Sequence, residues 1–106
     1  VAKYPDTRRY KVMATFILFG KYSAEALKGV SEARTKKAAA LVKKLKGKVI
    51  GMYATLGEKD LVFILELPGL DDAIKASVGL YRLTGISFTT SPAISVDQFD
   101  KLLAKG

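Results

Sequence analysis

The stretch Leu61-Val62-Phe63-Ile64-Leu65 constrains this chain more than any other, because it is apolar without alternation. A strand with one wet face alternates polar and apolar residues; a run that does not must lose water from both faces and have strands on both sides. It is therefore expected at the centre of a sheet. The run ends a segment, Lys48 to Leu67, in which two β-rich stretches flank the turn Leu56-Gly57-Glu58-Lys59-Asp60, so an antiparallel hairpin is expected there. A second such run, Val12 to Phe19, puts Val12, Ala14, Phe16 and Leu18 on one face and Met13, Ile17 and Phe19 on the other. It too belongs in the centre.

Helical spacing fills the intervals. Ser23 is placed to cap a first helix with Glu25 in its first turn, and a break at Gly29-Val30-Ser31 lets Ser31 cap a second, Glu32 to Lys46, which Gly47 stops. Ala38, Leu41, Val42 and Leu45 form its inward stripe, with Lys36 and Lys43 opposite and Lys37 and Lys44 on a flank. Beyond Pro68-Gly69, a helix opens at Asp71 or Asp72 and runs to about Leu83, with Ala73, Ile74, Ser77, Val78 and Tyr81 at helical spacing. Gly85 ends it, Ile86 to Thr90 is a fourth strand, and Ser95-Val96-Asp97-Gln98 is a capping box for a last helix whose inward side is Phe99, Leu102 and Leu103. The order βαββαβ plus a C-terminal helix predicts an α+β, ferredoxin-like antiparallel sheet in strand order 4-1-3-2.

At 106 residues the chain is one domain, read as 12–106, behind a basic Pro-broken segment 1–11 that is a flexible arm or an expression remnant. Cys, His, Trp and Asn are all absent. That inventory excludes disulfides, zinc and haem ligation through Cys or His, thiol catalysis and histidine acid–base chemistry, so no metal, cofactor or catalytic residue is assigned. The absence of Asn and Cys, a single Gln (Gln98) and many Lys together resemble the bias of thermophile proteins. Asp71-Asp72 reads as helix-dipole compensation rather than a metal pair, and Gly20-Lys21-Tyr22-Ser23 lacks a phosphate loop's first glycine, Thr15 standing there. The opening residues lack the order of a secretory signal and no stretch reaches the length of a membrane span, so a cytoplasmic protein away from membranes is expected. The net charge of +8 admits nucleic acid or an anionic ligand as partner. Nucleic acid is disfavoured, because no aromatic residues interleave with the helical lysines for bases to stack on.

Both helices of this fold cover one sheet face, and the other face here is too apolar to stay wet. A homodimer through that open face, or a higher oligomer, is the expected partner. The last helix folding over the sheet is one competitor, and an RNA-binding sheet using Phe16, Tyr53, Phe63 and Phe88 is another, although their neighbours are aliphatic rather than basic. Topology gathers Lys21, Tyr22, Arg34, Glu58, Lys59, Asp60 and Arg82 at one edge, with Arg34 paired to Asp60. With Tyr53, all of these except Glu58 are the candidate ligand-binding residues, and Lys21, Arg34 and Lys59 would hold an anion. A binding or sensor module is the leading reading. The alternatives are a cofactor-independent monooxygenase-like enzyme using Tyr53 and Asp60, and nucleic-acid binding through the lysine face.

From about Met13 to Phe99 the chain resembles the GYD-domain family, in which an apolar first strand and a helix with an early Arg precede a Gly-x-Tyr-Asp turn and a strand ending in Glu and Pro. Arg34, Tyr53, Gly57, Asp60, Leu61 to Glu66 and Pro68 carry the likeness, while Lys59 stands where the family has its Tyr. The resemblance implies a dimeric α/β-barrel domain of ferredoxin-like type, in a family without a settled activity. Related barrels include ligand-sensing modules of transcription regulators and small monooxygenases, a kinship of fold.

Overall fold

The computed structural model describes residues 13–104, so the expected arm at 1–11 and the start of the expected first strand lie outside the described residues. The elements are β1 (Ala14–Lys21), α1 (Ala24–Lys28), α2 (Glu32–Lys44), β2 (Lys48–Ala54), β3 (Leu61–Leu67), α3 (Leu70–Thr84), β4 (Ser87–Ala93) and α4 (Val96–Ala104). They form one sheet in the order β2-β3-β1-β4, antiparallel throughout. This is the ferredoxin-like arrangement read from the sequence, with the two unalternating runs in the middle.

Register separates the faces. Phe16 lies opposite Leu65 and Leu18 opposite Phe63 on the inner face, whereas Ile17 opposes Ile64 and Phe19 opposes Val62 on the outer one. Between β2 and β3 the pairing slips between Val49 and Gly51, leaving Ile50 as an extra residue. The bulge restores Met52 to the inner face opposite Phe63 and Tyr53 to the outer face opposite Val62. β4 runs three residues past its expected end at Thr90, through Pro92. An edge strand tolerates Pro, because one of its sides carries no ladder to break.

The core lies between the inner sheet face and helices α2 and α3, where Leu18, Leu65, Leu67, Leu80 and Val42 are fully buried. The stripe α3 turns inward is Ala73, Ala76 and Leu80 rather than the bulkier set in the sequence reading; Ile74 and Tyr81 are each 54% exposed. Close approach explains the difference. A Cβ on Gly79 would meet Leu41 Cδ1 at 3.0 Å, so α3 and α2 pack against each other where only small residues fit.

The last helix differs from expectation more sharply. Ser95 Oγ accepts from the Gln98 N–H at 3.1 Å, forming the first half of the capping box, but Phe99, Leu102 and Leu103 are exposed and no residue of α4 is buried. Helices α2 and α3 already occupy the inner face, and the two-residue link Ile94-Ser95 starts α4 at the sheet edge. The outer sheet face is therefore not covered by α4.

At the end of α2 the left-handed residue is Lys46, with φ 65°, not Gly47. Gly47 is required for another reason: a Cβ there would meet Leu67 Cδ2 at 2.5 Å and the Glu66 carbonyl oxygen at 2.9 Å. Lys46→Gly is expected to stabilise the chain by about 0.5–1 kcal/mol by removing left-handed strain from an L residue. Gly47→Ala should instead cost about 1–3 kcal/mol through overpacking against backbone. Urea unfolding of both variants checks the pair, and equal effects would show that the two roles are misassigned.

Candidate functional site

The hairpin end of the sheet is held by one carboxylate. Asp60 Oδ2 accepts from the Tyr22 N–H at 2.9 Å, while the Asp60 N–H donates to the Gly20 carbonyl at 2.9 Å. Thr55 completes the turn, its N–H donating to the Asp60 carbonyl at 2.8 Å and its hydroxyl to the Lys59 carbonyl at 2.6 Å. Lys21 Nζ reaches the Glu58 carbonyl at 2.9 Å. A turn far away in sequence is thus tied to the β1–α1 junction, and Gly57, at φ 114°, supplies a conformation that L side chains rarely adopt. The fixed junction positions Tyr22.

Arg34 sits in the first turn of α2, whose cap Ser31 accepts its N–H at 3.0 Å. Its Nη1 donates to the Ala26 carbonyl at 2.7 Å and, at a long 3.5 Å, to the Thr84 carbonyl. These carbonyls lie towards the C-terminal ends of α1 and α3, where acceptors are left over and a cation is favoured. Gly29 makes room for the guanidinium, since a Cβ there would lie 2.6 Å from Nη1. The expected Arg34–Asp60 ion pair is not formed. Each partner is already engaged by backbone, Asp60 by an amide of the β1–α1 junction and Arg34 by carbonyls of two helices.

Beside Arg34, between α2 and strands β2 and β3, lies a cavity of about 230 Å³. Ala38, Met52, Leu61, Phe63 and Ile86 make its apolar wall, and Tyr22, Ser31, Arg34, Thr35, Tyr53 and Thr84 its polar one. Three of the seven residues singled out from the sequence, Tyr22, Arg34 and Tyr53, therefore meet there. Lys21, Lys59 and Asp60 belong to the neighbouring hairpin staple and do not line it; Arg82, exposed on α3, does not line it either. Tyr53 borders the cavity from an edge strand, with its ring close over Gly51, where a Cβ would meet Cε2 at 2.7 Å. Sequence reasoning missed Met52, Leu61, Phe63, Thr84 and Ile86 as lining residues. The unalternating run of β3 marked Leu61 and Phe63 only as residues of a central strand, and nothing local marked a gap beside them.

Several hydroxyls on the polar wall have partners. Thr35 Oγ1 donates to the Ser31 carbonyl at 3.2 Å, and Thr84 Oγ1 donates to the Leu80 carbonyl at 2.7 Å while accepting from the Ile86 N–H at 3.0 Å. Arg34 Nε and Nη2 have no hydrogen-bond partner among the described residues, and no acidic side chain lines the cavity. The described residues hold no group of three or more carboxylates that would suit a metal ion. Nor is any described helix long and apolar enough to cross a membrane.

No curated protein matches the sequence closely enough to serve as a relative. Among solved structures the chain is similar to an AsnC family transcriptional regulator from Agrobacterium tumefaciens, at 12% identity and a TM-score of 0.57, covering 90% of this chain and 59% of that one. It is likewise similar to the leucine response regulatory protein LrpA of Mycobacterium tuberculosis, at 9% identity and a TM-score of 0.52, covering 90% of this chain and 59% of that one. The chain thus spans less than two thirds of these neighbours, and identities so low establish a shared fold alone. The model of the GYD domain matches residues 16–103, nearly the whole described chain and the same span that carries the Arg34, Gly57, Asp60 and Pro68 pattern, so the chain belongs to the GYD-domain family.

Proposed function

We propose that this protein is a small-molecule-binding module that works as a homodimer, with its ligand in the cavity beside Arg34 and its subunits joined through the outer sheet face. The observation that carries the binding reading is a guanidinium, half-buried and only partly engaged, in the wall of an otherwise largely apolar cavity. Concave apolar sites with a few fixed polar groups are the usual form of a ligand pocket. The similarity in fold to transcriptional regulators supports a sensing role. The dimer reading is supported by Ile17, Phe19, Val62 and Ile64, which form one continuous apolar patch across the two central strands on the face that α4 leaves open.

The enzyme alternative has less support. Asp60, one of its two proposed polar groups, is engaged by the Tyr22 amide and does not line the cavity. On the nucleic-acid reading, Lys36 is paired with Glu32 at 3.4 Å on the lysine face of α2.

A fragment set screened by ligand-observed NMR tests the binding reading, with Ala54→Trp as the control. Ala54 is exposed at the cavity mouth, so a Trp there fills the entrance and leaves the core untouched. Fragments that bind the parent protein should lose at least about tenfold in affinity for the folded variant, the scale of a blocked apolar contact. Fragments insensitive to the substitution would place binding elsewhere and remove the cavity from consideration.

A further inference from the structure

We infer that the cavity takes a small organic monocarboxylate, one carboxylate joined to an apolar body about the size of a six-membered ring, held by Arg34. This rests on the cavity being a ligand site, and it specifies the ligand's chemistry.

The polar groups leave little choice. Among the side chains bordering the cavity, Thr35 and Thr84 donate their hydroxyl protons to carbonyls, and the Ser31 hydroxyl accepts from the Arg34 amide. The donors that remain are the Nε and Nη2 edge of Arg34 and the hydroxyls of Ser31 and Tyr22, because the Ser31 oxygen accepts without giving up its proton and the Tyr53 ring lies over Gly51 on the outer face. A guanidinium edge offers two parallel N–H groups, the geometry that a carboxylate accepts in bidentate form. Nη1, held by the Ala26 carbonyl at 2.7 Å, fixes the plane of that edge in advance and lowers the cost of ordering it on binding.

Charge sets the rest. One guanidinium faces no carboxylate in the cavity lining, so a single negative charge is matched there. A phosphate dianion would bring a charge the lining does not match, because Lys21 is turned to the Glu58 carbonyl and does not line the cavity. A zwitterionic amino acid is disfavoured for the opposite reason, since its ammonium group would find no carboxylate in the wall. Ala38, Met52, Leu61, Phe63 and Ile86 ask for an apolar body, and a polyol would leave its hydroxyls without partners. About 150 Å³ of apolar cavity accommodates a benzene ring. The 230 Å³ available here therefore suits such a body with its carboxylate attached.

The test is a heteronuclear NMR titration of the full chain with benzoate, 4-methylpentanoate, the primary amides of both acids, and leucine. Saturable shifts are expected at the Arg34 Nε–H and the Met52 methyl with both carboxylates. The amides and leucine should bind at least about tenfold more weakly, the scale of a lost charge-assisted hydrogen bond. Arg34→Gln should weaken the carboxylates at least about tenfold and abolish their preference over the amides. Because Arg34 also holds two helix ends, Ala54→Trp serves as a second variant that keeps the guanidinium and should abolish carboxylate shifts at Met52. Amides that bind as tightly as the acids, or leucine that binds more tightly than 4-methylpentanoate, would overturn the monocarboxylate assignment while leaving a ligand site in place. If none of the five compounds moves Met52 or Arg34, both the assignment and the site beneath it fail.

Discussion

Ile64→Glu is expected to give a folded monomer at concentrations where the parent chain sediments as a dimer. Ile64 lies on β3 opposite Ile17, with Phe19 and Val62 beside them, all on the outer face and all half-buried within a single chain. Neighbours in the same sheet supply that partial cover; a second sheet would complete it. Burying an Ile fully is worth about 1.5–3 kcal/mol, and a twofold contact removes two at once. A carboxylate in its place must in addition be desolvated against apolar side chains. The sum is at least about 4 kcal/mol of association energy, roughly a thousandfold in dissociation constant. Within one subunit the substituted side chain still points to the uncovered face, so circular dichroism should report an unchanged fold. Analytical ultracentrifugation over a wide concentration range reads the result, and a parent chain that stays monomeric when concentrated would end the proposal.

The same face shows what the sequence could and could not disclose. That β1 and β3 are central was legible, because Phe16 to Phe19 and Leu61 to Leu65 offer water no acceptable side. Register was not legible, because runs without alternation do not say which residue faces the helices; the structure pairs Phe16 with Leu65 and Ile17 with Ile64. The inward stripe of α3 was misread because period alone marks Ile74, Val78 and Tyr81 as strongly as Ala73, Ala76 and Leu80. The close approach of α2 at Gly79 and Leu41 decides between the two sets, and that is a property of the assembled layers. Amphipathic spacing in α4 predicted Phe99, Leu102 and Leu103 as its inward side, yet all three are exposed, because spacing marks an apolar side but not whether anything packs against it.

The site was legible only in part, for a reason of chemistry. Opposite formal charges suggested pairing Arg34 with Asp60, yet both found backbone groups instead. Helix-end carbonyls and junction amides are strong partners that carry no letter of their own in a sequence. The cavity is a gap between residues far apart in the chain, from Tyr22 through Met52 to Ile86, and no local pattern announces a gap.

Leu65→Ala should be the most damaging single truncation, and its contrast with Ile64→Ala separates core from interface on one strand. Leu65 has no exposed surface and sits opposite both Phe16 of β1 and Val49 of β2. Removing a buried Leu side chain costs its transfer energy plus a cavity that a close-packed interior refills poorly, together about 3–5 kcal/mol. For a domain near this size each kcal/mol moves the melting temperature by about 4–8 °C, so a fall of at least roughly 12 °C is expected. That loss should persist at any protein concentration, because the residue faces the chain's own helices. Ile64→Ala acts on the other face. Its cost should be small when the protein is dilute and grow as the protein is concentrated, since the lost contact belongs to a second subunit and mass action sets how often it is made. Thermal unfolding of both variants over a hundredfold concentration range distinguishes the cases. Identical concentration dependence for the two would mean that neighbouring residues of β3 share one environment, which the observed register forbids unless both faces are closed within the same chain.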